Sequence, residues 1–157
     1  MKNLHWNLVK AEDTSAPGCD LVRQWLREHN WAVNPSFMEQ LQQPQHAAQP
    51  LILLTQANGE TVGGLIAETQ LSWLRISIMS VHPEWRSKGI GTALLAEAGR
   101  LAIERGCKHA YVDTMEYQAP HFYLAHGFEL VGQIPDWDSH GHSKMYFSKH
   151  LQQTTIR

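Results

Sequence analysis

The stretch Arg86-Ser87-Lys88-Gly89-Ile90-Gly91 gathers the residue types that hold an anion. Glycines at 89 and 91 let backbone N–H groups approach a ligand closely, and Arg86 and Lys88 add positive charge. The amphipathic run from Gly89 to Arg105 predicts a helix, and its positive dipole end would point at the same spot. An apolar strand feeds the loop through Val81-His82-Pro83-Glu84. A diphosphate is the guest that suits such a loop. Neither common phosphate motif fits, because a P-loop needs GxxxxGK followed by Ser or Thr, and a dinucleotide fold needs GxGxxG, whereas Leu94 stands at the third glycine position. The spacing here is RxxGxG.

The surrounding elements must place this loop. Leu4 to Val9 reads as a first strand, Leu21, Val22, Trp25, Leu26 and His29 recur at helical spacing over about 19–30, and Asn34-Pro35 opens a short second helix. Leu51 to Gln56 and Thr61 to Leu71 read as a hairpin, since Asn58-Gly59 suits a type I′ turn. Trp73 to Val81 alternates as a strand until Ile78, Met79 and Val81 put apolar side chains on both faces. That break fits either a β-bulge or burial of both faces. Gly89 to Arg105 is the clearest helix, with Gly106 placed to cap it. A strand at His109 to Asp113, a short helix at Ala119 to His126, and strands at Phe128 to Ile134 and Lys144 to His150 around the loop 135–143 complete the order. A strand–helix–strand crossover over 73–113 within mixed elements predicts an α/β (α+β) sheet with a parallel segment.

Composition narrows the function classes. The 157 residues suit one domain over 1–157, the net charge is −2, and the 13 Lys and Arg residues are dispersed, so no nucleic-acid footprint is expected. No apolar stretch reaches the length of a membrane span and the N-terminus lacks a signal-peptide core, which makes no membrane association and a cytoplasmic location the expectation. Cys19 and Cys107 have no CxxC spacing, and the ten histidines show no HExxH, so neither disulfide nor metal is expected.

The RxxGxG loop, with Val81-His82-Pro83-Glu84-Trp85-Arg86 before it and Thr92-Ala93-Leu94-Leu95 after it, resembles motif A of the GCN5-related N-acetyltransferases. The likeness is tight over residues 79–95, looser to about 150, and slight in the first sixty. It implies a mixed, mostly antiparallel sheet with a central, splayed parallel strand pair and flanking helices. It also favours the bulge, because family members splay those two strands to admit the pantetheine arm of acetyl-CoA.

The implied cofactor contacts are the backbone of Met79, Ser80 and Val81 and the residues Arg86, Ser87, Lys88, Gly89, Ile90, Gly91 and Thr92. The segment Phe122-Tyr123-Leu124-Ala125-His126-Gly127-Phe128 resembles the family's FYxxxGF, where the tyrosine points at the CoA sulfur. With an ordinary phenol pKa near 10, Tyr123 can stay protonated and donate to a leaving thiolate. Glu68 is a base candidate on the hairpin. Glu116 is a second one, standing where the family usually has asparagine. The resemblance places the acceptor groove between the first helices and the last hairpin, where Trp31, Phe37 and Trp137 could line it and Asp136, Asp138 and His140 could face a cationic amine. The expected function is acetyl transfer to a primary amine of a small molecule or peptide by direct attack in a ternary complex. Alternatives are a non-catalytic acyl-CoA-binding or sensing module and, more remotely, a nucleotide-binding protein. Family members are frequently homodimers, which makes a homodimer an expectation here.

Overall fold

A computed structural model describes residues 5–152. The chain divides into two compact units, Met1–Gln45 and His46–Arg157. In the first, α1 (Pro17–Val33) and α2 (Pro35–Gln42) meet at Asn34. That residue ends one helix, its N–H bonding to the Asn30 carbonyl at 2.8 Å, and begins the next, its side chain accepting from the Phe37 N–H at 3.4 Å. Pro35 follows at the first helical position, where a missing N–H costs nothing. The strand expected at Leu4–Val9 is absent: residues 5–9 carry no regular structure, and Leu4 lies outside the described residues. Alternation alone cannot make a strand, because its backbone groups need a ladder partner, and the sheet includes none from this segment.

The second unit is built on a six-stranded sheet of β1 (Gln49–Ala57), β2 (Glu60–Gln70), β3 (Trp73–Val81), β4 (His109–Met115), β5 (Glu129–Ile134) and β6 (Lys144–His150), in the order β1-β2-β3-β4-β6-β5. All neighbours are antiparallel except β3 and β4, which run parallel at the centre. The crossover between them is α3 (Ile90–Glu104), and α4 (Pro120–Ala125) follows β4. Asn58 and Gly59 both take positive φ, as the type I′ turn requires.

α3 buries Leu94, Leu95, Ala98 and Ala102 in the core that Leu51, Leu65, Leu74 and Phe147 anchor. Each fully buried leucine contributes roughly 2 kcal/mol from apolar surface withdrawn from water. The helix stops where Gly106, at φ +86°, turns left-handed. Its N–H reaches the Ile103 carbonyl at 2.9 Å and the Cys107 N–H the Ala102 carbonyl at 2.9 Å, which closes the helix end as a Schellman motif. Among the described residues no helix is long and apolar enough to cross a membrane.

Two local features open the centre of the sheet. The β2–β3 register runs Ile66↔Ile78 and then Ala67↔Ile76, so Ser77 is an extra residue in β3 and the expected bulge is present. The β3–β4 pairing ends at Ile76↔Val112. Beyond it β3 stays with β2 as far as Gly63↔Val81, while β4 stays with β6 as far as Met115↔Lys144, so the two strands diverge.

Candidate active site

The divergence makes a cleft of about 910 Å³. Its walls are Ile76 to Val81 from β3, Val112 to Thr114 from β4, the loop and first turn of α3, and Phe122, Tyr123 and His126 around α4. Adjacent strand residues point to opposite faces. Val112 and Thr114 are buried toward the core, so Asp113 between them turns to the other side of the sheet.

At one end lies the anion cradle. The turn Pro83–Trp85 is started by His82, whose Nδ1 accepts from the Glu84 N–H at 3.4 Å and whose own N–H reaches the Val62 carbonyl at 2.9 Å. Arg86 Nε then donates to the Val81 carbonyl at 3.1 Å, which fixes the guanidinium beside the mouth of the splay. Ser87 (φ +58°) and Gly89 (φ +82°) are left-handed, and Gly89 caps α3 with no side chain of its own. The first intrahelical bond is Ala93 N–H to the Gly89 carbonyl, at 3.0 Å, so the preceding amides of the first turn keep no helical acceptor. A Cβ built on Gly89 would meet nothing within 4 Å, so the space before these amides is open. Gly91 serves a different need, because a Cβ there would come within 3.3 Å of the Phe122 ring.

Tyr123 is 5% exposed, packed edge-on against Phe128 and tilted against Phe147. Tyr123 lines the cleft, and its hydroxyl makes no hydrogen bond to another described residue. Burial, and secondarily the negative charge of Asp113, raises its pKa above the ordinary phenol value. It is a neutral hydrogen-bond donor at neutral pH.

Four further cleft residues have no role assigned from the sequence, although Phe122 and His126 lie within the FYxxxGF-like segment. His126 Nε2 lies 3.0 Å from Thr92 Oγ1 and its Nδ1 lies 2.7 Å from the Phe122 carbonyl, tying the end of α4 to the first turn of α3. Gln118 Oε1 accepts from the Met115 N–H at 2.8 Å and the Thr114 hydroxyl at 3.1 Å, anchoring the β4–α4 turn beside the position where asparagine was expected. Phe122 sets the spacing at Gly91. Asp113 takes a proton donor on each oxygen, the Tyr111 hydroxyl at 3.0 Å and Lys144 Nζ at 2.8 Å. Burial first, and then this hydrogen bond, push the Tyr111 pKa up to about 12.

The residues singled out from the sequence divide into two sets. Met79, Ser80, Val81, Arg86, Ser87, Gly89, Ile90, Gly91, Thr92 and Tyr123 all line the one cleft. Lys88 is folded back over the Trp85 ring, 4.7 Å from its centroid, and does not line it. Nor does Glu68, half-exposed on β2 and 3.7 Å from Arg75, or Glu116, which is exposed after β4 with its N–H bonded to the Ser143 carbonyl at 3.0 Å. Trp31 lies on α1 and Phe37 on α2, in the first unit. Asp136 and Asp138 serve the β5–β6 loop itself: Asp136 accepts from the Gly141 N–H at 2.7 Å, and Asp138 from the N–H groups of His140 and His142. Partial burial opposes ionisation of Asp138, but these amides and the His142 ring outweigh it and hold its pKa low. His140 turns its Nδ1 to the Asp138 carbonyl at 2.8 Å, and Trp137 covers Lys144. Among the described residues no group of three or more His, Cys, Asp or Glu could hold a metal ion.

The arrangement can seat a long, anionic-tailed ligand, with its diphosphate against α3 and its far end beside a neutral phenol. Comparisons with known proteins bear on the fold and the family. Over an 80-residue alignment the chain is 39% identical to the blasticidin-S acetyltransferase of Streptomyces morookaense, covering 50% of this chain and 59% of that protein. The chain spans about three fifths of the length of the first curated relatives it matches. Its fold matches the crystal structure of an acetyltransferase from Bacillus cereus with a TM-score of 0.71 and 24% identity, covering 91% of this chain and 98% of that one. An aminoglycoside 6′-N-acetyltransferase crystallised with coenzyme A matches at TM-score 0.60 and 16% identity, covering 88% and 95%. The family model described as an acetyltransferase (GNAT) domain matches residues 49–130, more than half of the sequence and the segment that holds both the cradle and Tyr123, and the chain belongs to that family.

Proposed function

We propose that residues 1–157 form one N-acetyltransferase domain that binds acetyl-CoA in the splayed cleft and acetylates a primary amine of a small molecule or peptide by direct attack in a ternary complex. The observation that carries this reading is the continuity of one cleft from the start of α3, where Gly89 offers no side-chain cap, to Tyr123. The fit to the diphosphate rests on Gly89, whose missing Cβ leaves open space before unpartnered amides, and on the pinned Arg86.

Acetyl-CoA supplies the activated acetyl thioester. Arg86 and the amides around Gly89, Ile90 and Gly91 hold its diphosphate, and the free edge of β3 over Met79 to Val81 offers N–H groups to the arm and to the developing oxyanion. The acceptor, having lost one proton to water, bonds through nitrogen to the acetyl carbon as the carbon–sulfur bond breaks. Tyr123 gives its hydroxyl proton to the departing sulfur, and the second proton released by nitrogen restores the phenol. Neither Glu68 nor Glu116 lines the cleft, so this scheme needs neither as base.

The test is thermal unfolding with CoA, ATP or NAD, followed by thiol release from acetyl-CoA across an array of amines. Stabilisation by CoA alone and amine-stimulated release are expected. Stabilisation by CoA without release for any amine would favour a non-catalytic acyl-CoA-binding module, and stabilisation by ATP or NAD instead would refute the cofactor assignment.

A further inference from the structure

The face of β4 and β6 turned away from α3 carries a charged and aromatic cluster that the acetyl-transfer scheme leaves unused. Register assembles it, because Asp113 lies opposite Tyr146 and Met115 opposite Lys144. Asp113 Oδ2 accepts from the Tyr111 hydroxyl at 3.0 Å, and Oδ1 meets Lys144 Nζ at 2.8 Å. The same ammonium stands 4.7 Å above the Trp137 ring centroid and 5.9 Å from that of Tyr146. Both partners of the ion pair are largely shielded, with 23% and 33% of their side chains exposed.

A carboxylate with aromatic faces around it is a site for an alkylammonium. Opposite charge supplies the attraction, and ring quadrupoles add to it where water is partly excluded. Tyr111, its phenol pushed up to about 12, remains a donor to Oδ2 and keeps the carboxylate turned so that Oδ1 is left for a cation. Asp113 also lines the cleft, so this site opens onto the place where the acetyl group would emerge. Its occupant is a lysine of the chain itself, on a flexible four-carbon stem that can swing away.

We propose that Asp113, Tyr111, Trp137 and Tyr146 form the acceptor-ammonium site, that Lys144 is its resident occupant, and that an incoming primary alkylammonium displaces Lys144 from Asp113. This rests on the acetyl-transfer reading above. The acceptor class it selects is a primary alkylammonium with an apolar or aromatic-compatible neighbour. A carboxylate beside the amine would meet Asp113 and be repelled.

Ethylammonium chloride is the probe, titrated by calorimetry into the full chain saturated with CoA. Lys144→Ala vacates the site and is expected to bind ethylammonium at least about tenfold more tightly than wild type. Adding Asp113→Asn to that variant should abolish the gain. With acetyl-CoA in place of CoA, Lys144→Ala should also form N-ethylacetamide faster than wild type at subsaturating ethylammonium, with one CoA thiol and one proton released per amide. Lys144→Met, which keeps the aliphatic stem, is the second variant, and its CoA affinity checks that the cleft is intact.

Unchanged ethylammonium affinity in Lys144→Ala, or a gain that survives Asp113→Asn, would overturn the proposal. Binding without N-ethylacetamide would overturn the acceptor role, and loss of CoA binding in both lysine variants would make Lys144 a folding residue rather than a displaceable occupant. Failure of wild type to bind CoA would instead refute the acetyl-transfer reading, so the two failures are separable.

Discussion

Gly89 and Gly106 form a matched pair that separates backbone strain from ligand recognition. Both are left-handed, at φ +82° and +86°, and a Cβ on either meets nothing within 4 Å. Alanine at each position therefore adds only the left-handed penalty, roughly 1 kcal/mol, with no clash. For a chain of 157 residues that corresponds to a fall in Tm of roughly 2–4 °C in each variant. They differ in what faces the added methyl. At Gly89 it stands before the unpartnered amides of α3, whereas Gly106 sits at the opposite end of the same helix.

A diphosphate held off those amides loses one or more charge-assisted hydrogen bonds of roughly 1.5–3 kcal/mol each. Gly89→Ala should then weaken CoA by about tenfold or more, while Gly106→Ala leaves the affinity within about twofold of wild type. Calorimetric titration of CoA into both variants, with their unfolding curves recorded alongside, is the assay. Equal CoA affinity in the two variants would refute the assignment of the diphosphate to this loop.

Other outcomes follow from particular contacts. Arg86→Lys loses the bond from Nε to the Val81 carbonyl and the planar fork, so CoA binding should weaken roughly tenfold, and an unchanged dissociation constant would show that charge alone suffices. Thr55 Oγ1 is buried with no hydrogen-bond partner among the described residues, so Thr55→Val should stabilise the fold by about 1 kcal/mol, read as a higher urea midpoint; a lower midpoint would mean the hydroxyl is satisfied in solution. Tyr111 holds its proton more tightly when folded, so its contribution to stability is complete below about pH 10, where unfolded tyrosine begins to ionise, and is lost as pH rises toward about 12. Urea midpoints across that window should fall less steeply in Tyr111→Phe, and equal slopes would contradict the assigned shift.

Features set by neighbours in sequence were the legible ones. The Asn58-Gly59 turn, the Gly106 cap and the faltering alternation at Ile78 and Met79 each follow from local backbone preference, and each appears as a turn, a Schellman motif and a bulge. The loop was legible from its own RxxGxG spacing, whereas Tyr123 was legible only through the resemblance of its segment to FYxxxGF, and both line one cleft. Features that depend on distant register were not. Asp113 reads as an ordinary polar residue in an alternating strand until β6 sets Tyr146 and Lys144 beside it. The carboxylates at 136 and 138 look free in sequence, yet the tight loop turns its own amides onto them. At residues 5–9 the alternation was present, but no strand offers it a ladder.

The central claim is that a thioester held in the splayed cleft is consumed with Tyr123 as the acid. The most direct measurement is single-turnover thiol release from saturating acetyl-CoA by wild type and Tyr123→Phe, at the amine that wild type uses best, with CoA affinity measured on the same preparations. Tyr123 lines the cleft and its hydroxyl has no hydrogen-bond partner among the described residues, so the fold should survive its removal. The account predicts release slower by about 10²-fold or more with CoA affinity nearly unchanged. Release at the wild-type rate would contradict it.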